Sequence, residues 1–284
     1  MDRIGIKEKA KRLVSEDRGY YFTITFVPMI VLFIYNMIAN TAGYFSYVTS
    51  IMNVAQHTTR PEDISANLSA LMSFIGIGSI IGLFVSLVTA IIKFGVRIVM
   101  LKSYRQEEAA GESGIEDALY AFKDSRWLAA LGFFVVIYLY QLVVAGAVGI
   151  IAFLLAMILA FIGIAANNTI VTVFLILVGI LVTIALVVAG IIINNFTSQL
   201  NYAFLDASQK GDSFSGAISQ SFKLMIKKDN MIQFFSLQAS FIGWSILNEL
   251  TFGILGIAWW NAYAELTYAG FYDEIVKKRS SSLT

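Results

Sequence analysis

Few residues of this sequence have a type and spacing that could do chemistry. Gly111-Glu-Ser-Gly114 sets a serine in a G-x-S-G context, but serine attack needs a base, and the only histidine is His57. The charge pattern described below assigns the two to opposite sides of a membrane, so no Ser–His pair can form. Glu107-Glu108 pair two carboxylates, yet Glu112 stands four places on, where such a pair would need a basic residue. One histidine and no cysteine argue against zinc, and the absence of cysteine excludes disulfides and thiol nucleophiles. His57 therefore reads as a surface residue. Gly76-Ile-Gly78 is not a nucleotide loop, because it lies within an apolar run and the third glycine of the fingerprint falls on Ile81. No catalytic set, metal site, cofactor or nucleic-acid partner is expected.

What remains are polar groups embedded in apolar sequence. Glu265 stands amid Trp259, Trp260, Asn261 and Tyr263. A charge at the middle of a membrane helix costs about 2.5–3.5 kcal/mol on insertion scales, which makes such a residue a functional candidate. The alternative is that Glu265 lies near enough to the interface to reach water or a basic partner. A second cluster comprises Asn194, Asn195, Gln199, Asn201 and Tyr202. It could line a cavity open to the cytoplasm, or its members could satisfy one another between helices. If Glu265 faces a protein-lined cavity, Gln199 and Asn195 are its expected neighbours. Asn36, Asn40 and Thr41 form a weaker polar group.

The elements that must hold these residues follow from the longest uncharged stretch. Between Arg126 and Asp206 there is no Asp, Glu, Lys or Arg. A segment apolar on all sides needs lipid or other helices around it. With 58% hydrophobic and 14% charged residues and a mean hydropathy of +0.74, the chain reads as a polytopic all-α membrane bundle of one domain. Six spans are expected, at about 21–42, 72–95, 127–164, 170–205, 230–248 and 251–272. The first is read as a retained span rather than a cleaved signal, because its apolar run is too long for one. Pro28 should kink or loosen it. Residues 43–71 read as a polar loop, with a turn at Arg60-Pro-Glu-Asp63 and a short helix after it. The third and fourth spans are overlong, join near Ala165-Ala-Asn-Asn-Thr169, and have Gly146 and Gly149 as expected break points. With six spans, nineteen of the twenty Lys and Arg fall on one side and only Arg60 on the other. That asymmetry assigns both termini to the cytoplasm.

Three amphipathic helices are expected on the cytoplasmic side, each preceding a pair of spans. The first, 2–18, aligns Ile6, Ala10, Leu13 and Val14. The second, about 113–124, opens with a capping box at Ser113-Gly-Ile-Glu116 and aligns Ile115, Ala118, Leu119 and Phe122. The third, about 212–228, aligns Phe214, Ala217, Ile218, Ser221, Phe222 and Met225. The joins Ala10 to Tyr20, Ala118 to Trp127 and Ala217 to Lys228 are alike enough to suggest three structural repeats. Gly78 and Gly82, spaced G-x-x-x-G, would let another helix approach closely, though glycine is also simply common in membrane helices.

The C-terminal third carries a resemblance. Ala217-Ile-Ser-Gln-Ser-Phe-Lys-Leu-Met225, Phe241-Ile-Gly-Trp244, Leu250-Thr-Phe-Gly253, Trp259-Trp260, Tyr263 and Phe271-Tyr272 resemble the bacterial integral membrane family catalogued as domain of unknown function 975. That family is distantly similar to the membrane domain of some glycerophosphodiester phosphodiesterases. The N-terminal IKEKAKRLV and central DALYAF match less closely. The chain departs from the family at Ala262 and at Ala189-Gly190, where prolines that would kink the sixth and fourth spans are usual. The resemblance implies a bacterial cytoplasmic (inner) membrane and brings no activity. Three classes of function stay open. The chain could move, shelter from or confer resistance to a small amphiphile, peptide or lipid. It could be an accessory or scaffold subunit that binds another membrane protein. An intramembrane enzyme is the least supported, for want of an acid, base and nucleophile set.

Overall fold

Every regular element in the computed structural model is a helix: 93% is helical and no strand occurs among the described residues. Those residues are 2–57, 61–106, 114–123, 126–166, 169–209, 211, 214–251 and 253–281. In chain order the α-helices are α1 (Arg3–Glu16), α2 (Arg18–His57), α3 (Pro61–Arg105), α4 (Gly114–Ala118), α5 (Arg126–Ala166), α6 (Thr169–Asn194), α7 (Leu200–Gln209), α8 (Phe214–Met225), α9 (Lys228–Ala239), α10 (Ile242–Leu250) and α11 (Asn261–Ser281). Among the described residues, four segments are long and apolar enough to cross a membrane: Arg18–Ala39, Ile80–Arg105, Arg126–Ile162 and Val173–Gln209. In the last two, none of the most apolar stretch is buried within the protein, so lipid or another protein must be its solvent.

Several sequence expectations are corrected here. Residues 43–71 are not a loop, because α2 runs on to His57 and α3 begins at Pro61; Thr58, Thr59 and Arg60 lie outside the described residues. At 1.5 Å per residue α2 and α3 are about 60 and 68 Å long, twice a hydrocarbon core. Pro28 lies inside α2 without ending it. Gly146 and Gly149 do not break α5, which is continuous to Ala166. The break falls instead after α6, in a 3₁₀ turn at Asn195–Thr197. The segment expected as span five is divided, since α9 ends at Ala239, Ser240 and Phe241 turn, and α10 is only nine residues long.

The chain divides into two compact units. One comprises Lys9–Leu131 and Leu247–Leu266. Within it α2 packs along α3 and against α4. A Cβ at Gly82 would stand 2.5 Å from the Tyr35 hydroxyl, so this glycine serves packing inside the chain; the side-chain surroundings of Gly78 lie outside the described residues. Gly95 is tighter, with the backbone nitrogen of Ala121 only 2.7 Å from such a Cβ. Tyr20 donates to Asp117 at 2.8 Å and ties α2 to α4. The second amphipathic segment is shorter than its sequence pattern suggests. After α4 it becomes a 3₁₀ turn at Tyr120–Phe122, and of the expected face only Ala118 is buried. Ile115, Leu119 and Phe122 are exposed, and Glu116 binds Lys123 at 2.7 Å. Ser113, the expected cap, is outside the described residues.

The other unit comprises Met1–Glu8, Gly132–Ile246 and Thr267–Thr284. Here α5 and α6 form a long hairpin, tied by the Tyr140 hydroxyl donating to the Ile193 carbonyl at 2.5 Å. Below the hairpin, α7 and α8 pack together. Phe133 stacks on Phe214 at 4.3 Å and meets Phe204 edge-on at 5.4 Å. Lys7 of α1 donates to Ser240 at 2.6 Å and stands over the Phe241 ring, at the turn between α9 and α10. The first and third amphipathic faces are as the sequence pattern implies. Ile6, Ala10, Leu13 and Val14 are buried on α1, and Ala217, Ser221 and Met225 on α8.

Candidate functional site

Glu265 lies on α11, outside the four long apolar segments, and its carboxylate has a partner on α3 that offsets its desolvation. Arg97 Nε lies 3.1 Å from Glu265 Oε2, and Nη2 lies 3.3 Å from Oε1. This is the two-point fork that guanidinium and carboxylate geometry favours. The pair is not sealed: 32% of the arginine side chain and 25% of the glutamate side chain remain exposed. Lys93 precedes Arg97 by four residues, which places a second cation one turn away on α3.

The backbone that positions Glu265 is unusual. Gly253 takes φ +82°, a conformation that a side chain would disfavour. The chain then widens into a π-helical turn at Gly256–Trp260, where the Gly256 N–H bonds Asn248 Oδ1 at 2.5 Å. One extra residue in a helical turn rotates everything after it, and such turns recur at functional sites. Here the turn is followed by Trp259 stacked on Tyr263 at 4.6 Å, and by Asn261 Nδ2 at 2.8 Å from Met29 Sδ.

The second polar cluster lies where α6 gives way to α7. Asn195 donates to Gln238 at 3.1 Å, and Gln199 donates to Ser198 at 3.1 Å. Gln199 is fully buried, and its Oε1 has no hydrogen-bond partner among the described residues. Asn201 is buried, and the Tyr202 ring lies 5.7 Å from that of Tyr272. The side chain of Asn194 is outside the described residues. Sequence reasoning did not find the strongest network of this unit. Tyr272 donates to Asp206 Oδ2 at 2.8 Å and accepts from Gln220 Nε2 at 2.9 Å, which joins α7, α8 and α11. It also used Lys93 and Arg97 only as topology markers. Two cations one turn apart near the end of an apolar run, in a chain with a carboxylate amid the aromatic residues Trp259, Trp260 and Tyr263, were the available signal.

Among the described residues no group of three or more His, Asp or Glu is placed to hold a metal ion, and relationship comes from the whole chain. Residues 1–279 match the profile of a family described as Protein of unknown function (DUF975). The chain belongs to that family. The match spans nearly the whole sequence and therefore takes in both polar clusters, the π-helical turn and all four long helices. No curated protein and no solved structure matches the chain. The match is to that family alone and does not extend to the glycerophosphodiester phosphodiesterase membrane domain.

Proposed function

We propose that this member of the family is a non-enzymatic bacterial cytoplasmic-membrane protein that moves or shelters a small amphiphile, peptide or lipid. The Arg97–Glu265 fork carries the reading. Two charges, Arg97 on the apolar α3 and Glu265 on α11, stand beside a second cation, remain a quarter to a third exposed, and form a polar surface that a transported or sequestered headgroup can meet. Within the other unit, Gln199 is a buried acceptor with no partner among the described residues. In this reading both termini are cytoplasmic and residues 228–272 enter the membrane and return, which gives six crossings. The meeting of residues 224–230 with 275–279 around one cavity supports an even number of crossings between them. The full burial of Ala10, Ala118 and Ala217 supports three related amphipathic helices.

Two experiments test this. Cells carrying Glu265→Gln should lose the wild-type phenotype, such as survival under an amphiphile, at unchanged protein level; full activity at normal abundance overturns the site. Glu249→Cys, in a chain with no native cysteine, should react with an impermeant maleimide in intact cells. Reaction only after lysis means that residues 228–272 re-enter from the cytoplasmic side and that the crossings number four.

A second reading, an accessory subunit for another membrane protein, is favoured by α5. The helix is about 62 Å long and has no charge after Arg126. Tilted by ~40°, at the top of the usual range, it still needs cover over about a third of its length. Under this reading Phe153→Gln and Phe161→Gln, at exposed positions, should abolish co-purification of the partner, whereas Glu265→Gln should not.

A further inference from the structure

The turn between α8 and α9 and the end of α11 enclose a cavity of ≈ 190 Å³, many times the ~30 Å³ share of one water molecule. Its floor is apolar and buried: Leu224 is 1% exposed and Ile275 3%. Its rim is cationic, with Lys227, Lys278 and Arg279 from two separate chain segments. One carboxylate, Asp229, stands among the three cations, so the lining keeps a net positive charge. The neighbouring Lys277 lies outside the rim and pairs with Asp273 at 2.7 Å.

Two further features point to an anion. Lys227 is the N-cap of α9 and makes no side-chain capping bond, so the first-turn N–H groups of a twelve-residue helix begin at the cavity. The positive end of the helix dipole therefore adds to the three side chains. Asn230, buried beneath the rim, is fixed by donating to the Leu224 carbonyl at 2.8 Å, which holds the α8–α9 turn in shape. The surroundings favour a lipid over a soluble ion. Ile226, next to Lys227, is 71% exposed, an apolar side chain placed to enter acyl chains while the cations stay at headgroup level.

We propose that this cavity binds the phosphate of an anionic phospholipid headgroup, with Lys227, Lys278 and Arg279 as the binding residues. The site is separate from the Arg97–Glu265 pair and does not depend on the function proposed for that pair. The test uses full-length protein in detergent, with retained lipid counted by native mass spectrometry during titration with phosphatidylglycerol or phosphatidylcholine. Wild type should hold one phosphatidylglycerol in preference to phosphatidylcholine. Lys227→Gln/Lys278→Gln/Arg279→Gln should weaken that binding on the order of a hundredfold, at roughly fivefold per cation near an anionic surface. Lys11→Gln/Arg12→Gln, which removes exposed cations elsewhere, should leave it unchanged. Should the triple variant fold poorly, Lys278→Gln alone, at an exposed position, should weaken binding about fivefold. Equal retention by wild type and cavity variants, or equal loss in the Lys11/Arg12 control, overturns the proposal. Displacement of the lipid by millimolar inorganic phosphate would instead assign the cavity to a soluble phosphate and overturn the lipid assignment.

Discussion

Asp206 and Glu265 are both carboxylates in otherwise apolar sequence, one in each unit, and their settings are opposite. Asp206 is 6% exposed and takes its hydrogen bond from the neutral Tyr272 hydroxyl, itself fully buried. Glu265 is a quarter exposed and is held by a guanidinium that is a third exposed. A buried carboxylate bonded inside a three-helix network fixes how helices meet, and any loss from it should register as stability. A forked ion pair that is still a quarter to a third exposed contributes less to stability than a sealed network, yet it stays available to a ligand. The comparison assigns architecture to the first carboxylate and chemistry to the second.

The largest expected effect comes from the architectural side. Tyr272→Phe removes a bond to a carboxylate and a bond from Gln220, and should lower stability by about 1.5–3 kcal/mol, read as melting temperature in detergent. Gly95→Ala should cost about 1–3 kcal/mol, since the new methyl meets the Ala121 backbone rather than a movable side chain. Gly190→Ala is its control, because nothing lies within 4 Å of a Cβ there. Glu265→Gln should change the melting temperature by less than the equivalent of about 1 kcal/mol. A loss as large as that of Tyr272→Phe would erase the contrast.

The smallest effect concerns Glu116. The hydrogen bond and charge of Lys123 hold its carboxyl below the usual 4.5. A depressed carboxylate contributes its stability above the ordinary value and loses it as pH falls through the lowered one. The melting temperature of Glu116→Gln should therefore lie slightly below wild type at neutral pH and converge with it in acid. A gap that persists in acid would mean that Lys123 acts on something other than the ionised carboxylate.

Much of this was legible in the sequence, and the parts that were not have physical reasons. The uncharged run from Trp127 to Leu205 identifies the membrane hairpin, because no soluble packing tolerates it. The α1 face was legible because Ile6, Ala10, Leu13 and Val14 repeat with helical period and no competing pattern. The same period at Ile115, Leu119 and Phe122 is carried by a five-residue helix and a 3₁₀ turn, which pack Ala118 rather than those three side chains against the protein. Leu119→Asp should accordingly be well tolerated, and Phe222→Asp on α8 should not; equal yields would mean that neither face matters. The π-helical turn at Gly256–Trp260 sets the direction of Glu265, and nothing in the local composition announces it. Arg97 was hidden by its usefulness as a topology marker, and the Tyr272 network by long sequence separation.

The central claim is that the Arg97–Glu265 pair serves function while the Tyr272–Asp206–Gln220 network serves the fold. It is tested most directly by measuring melting temperature and phenotype per folded molecule for Glu265→Gln and Tyr272→Phe side by side. Glu265→Gln should melt like wild type and lose the phenotype, and Tyr272→Phe should melt earlier and keep it. The reverse pattern, a destabilised but active Glu265→Gln beside a stable but inactive Tyr272→Phe, would contradict the account.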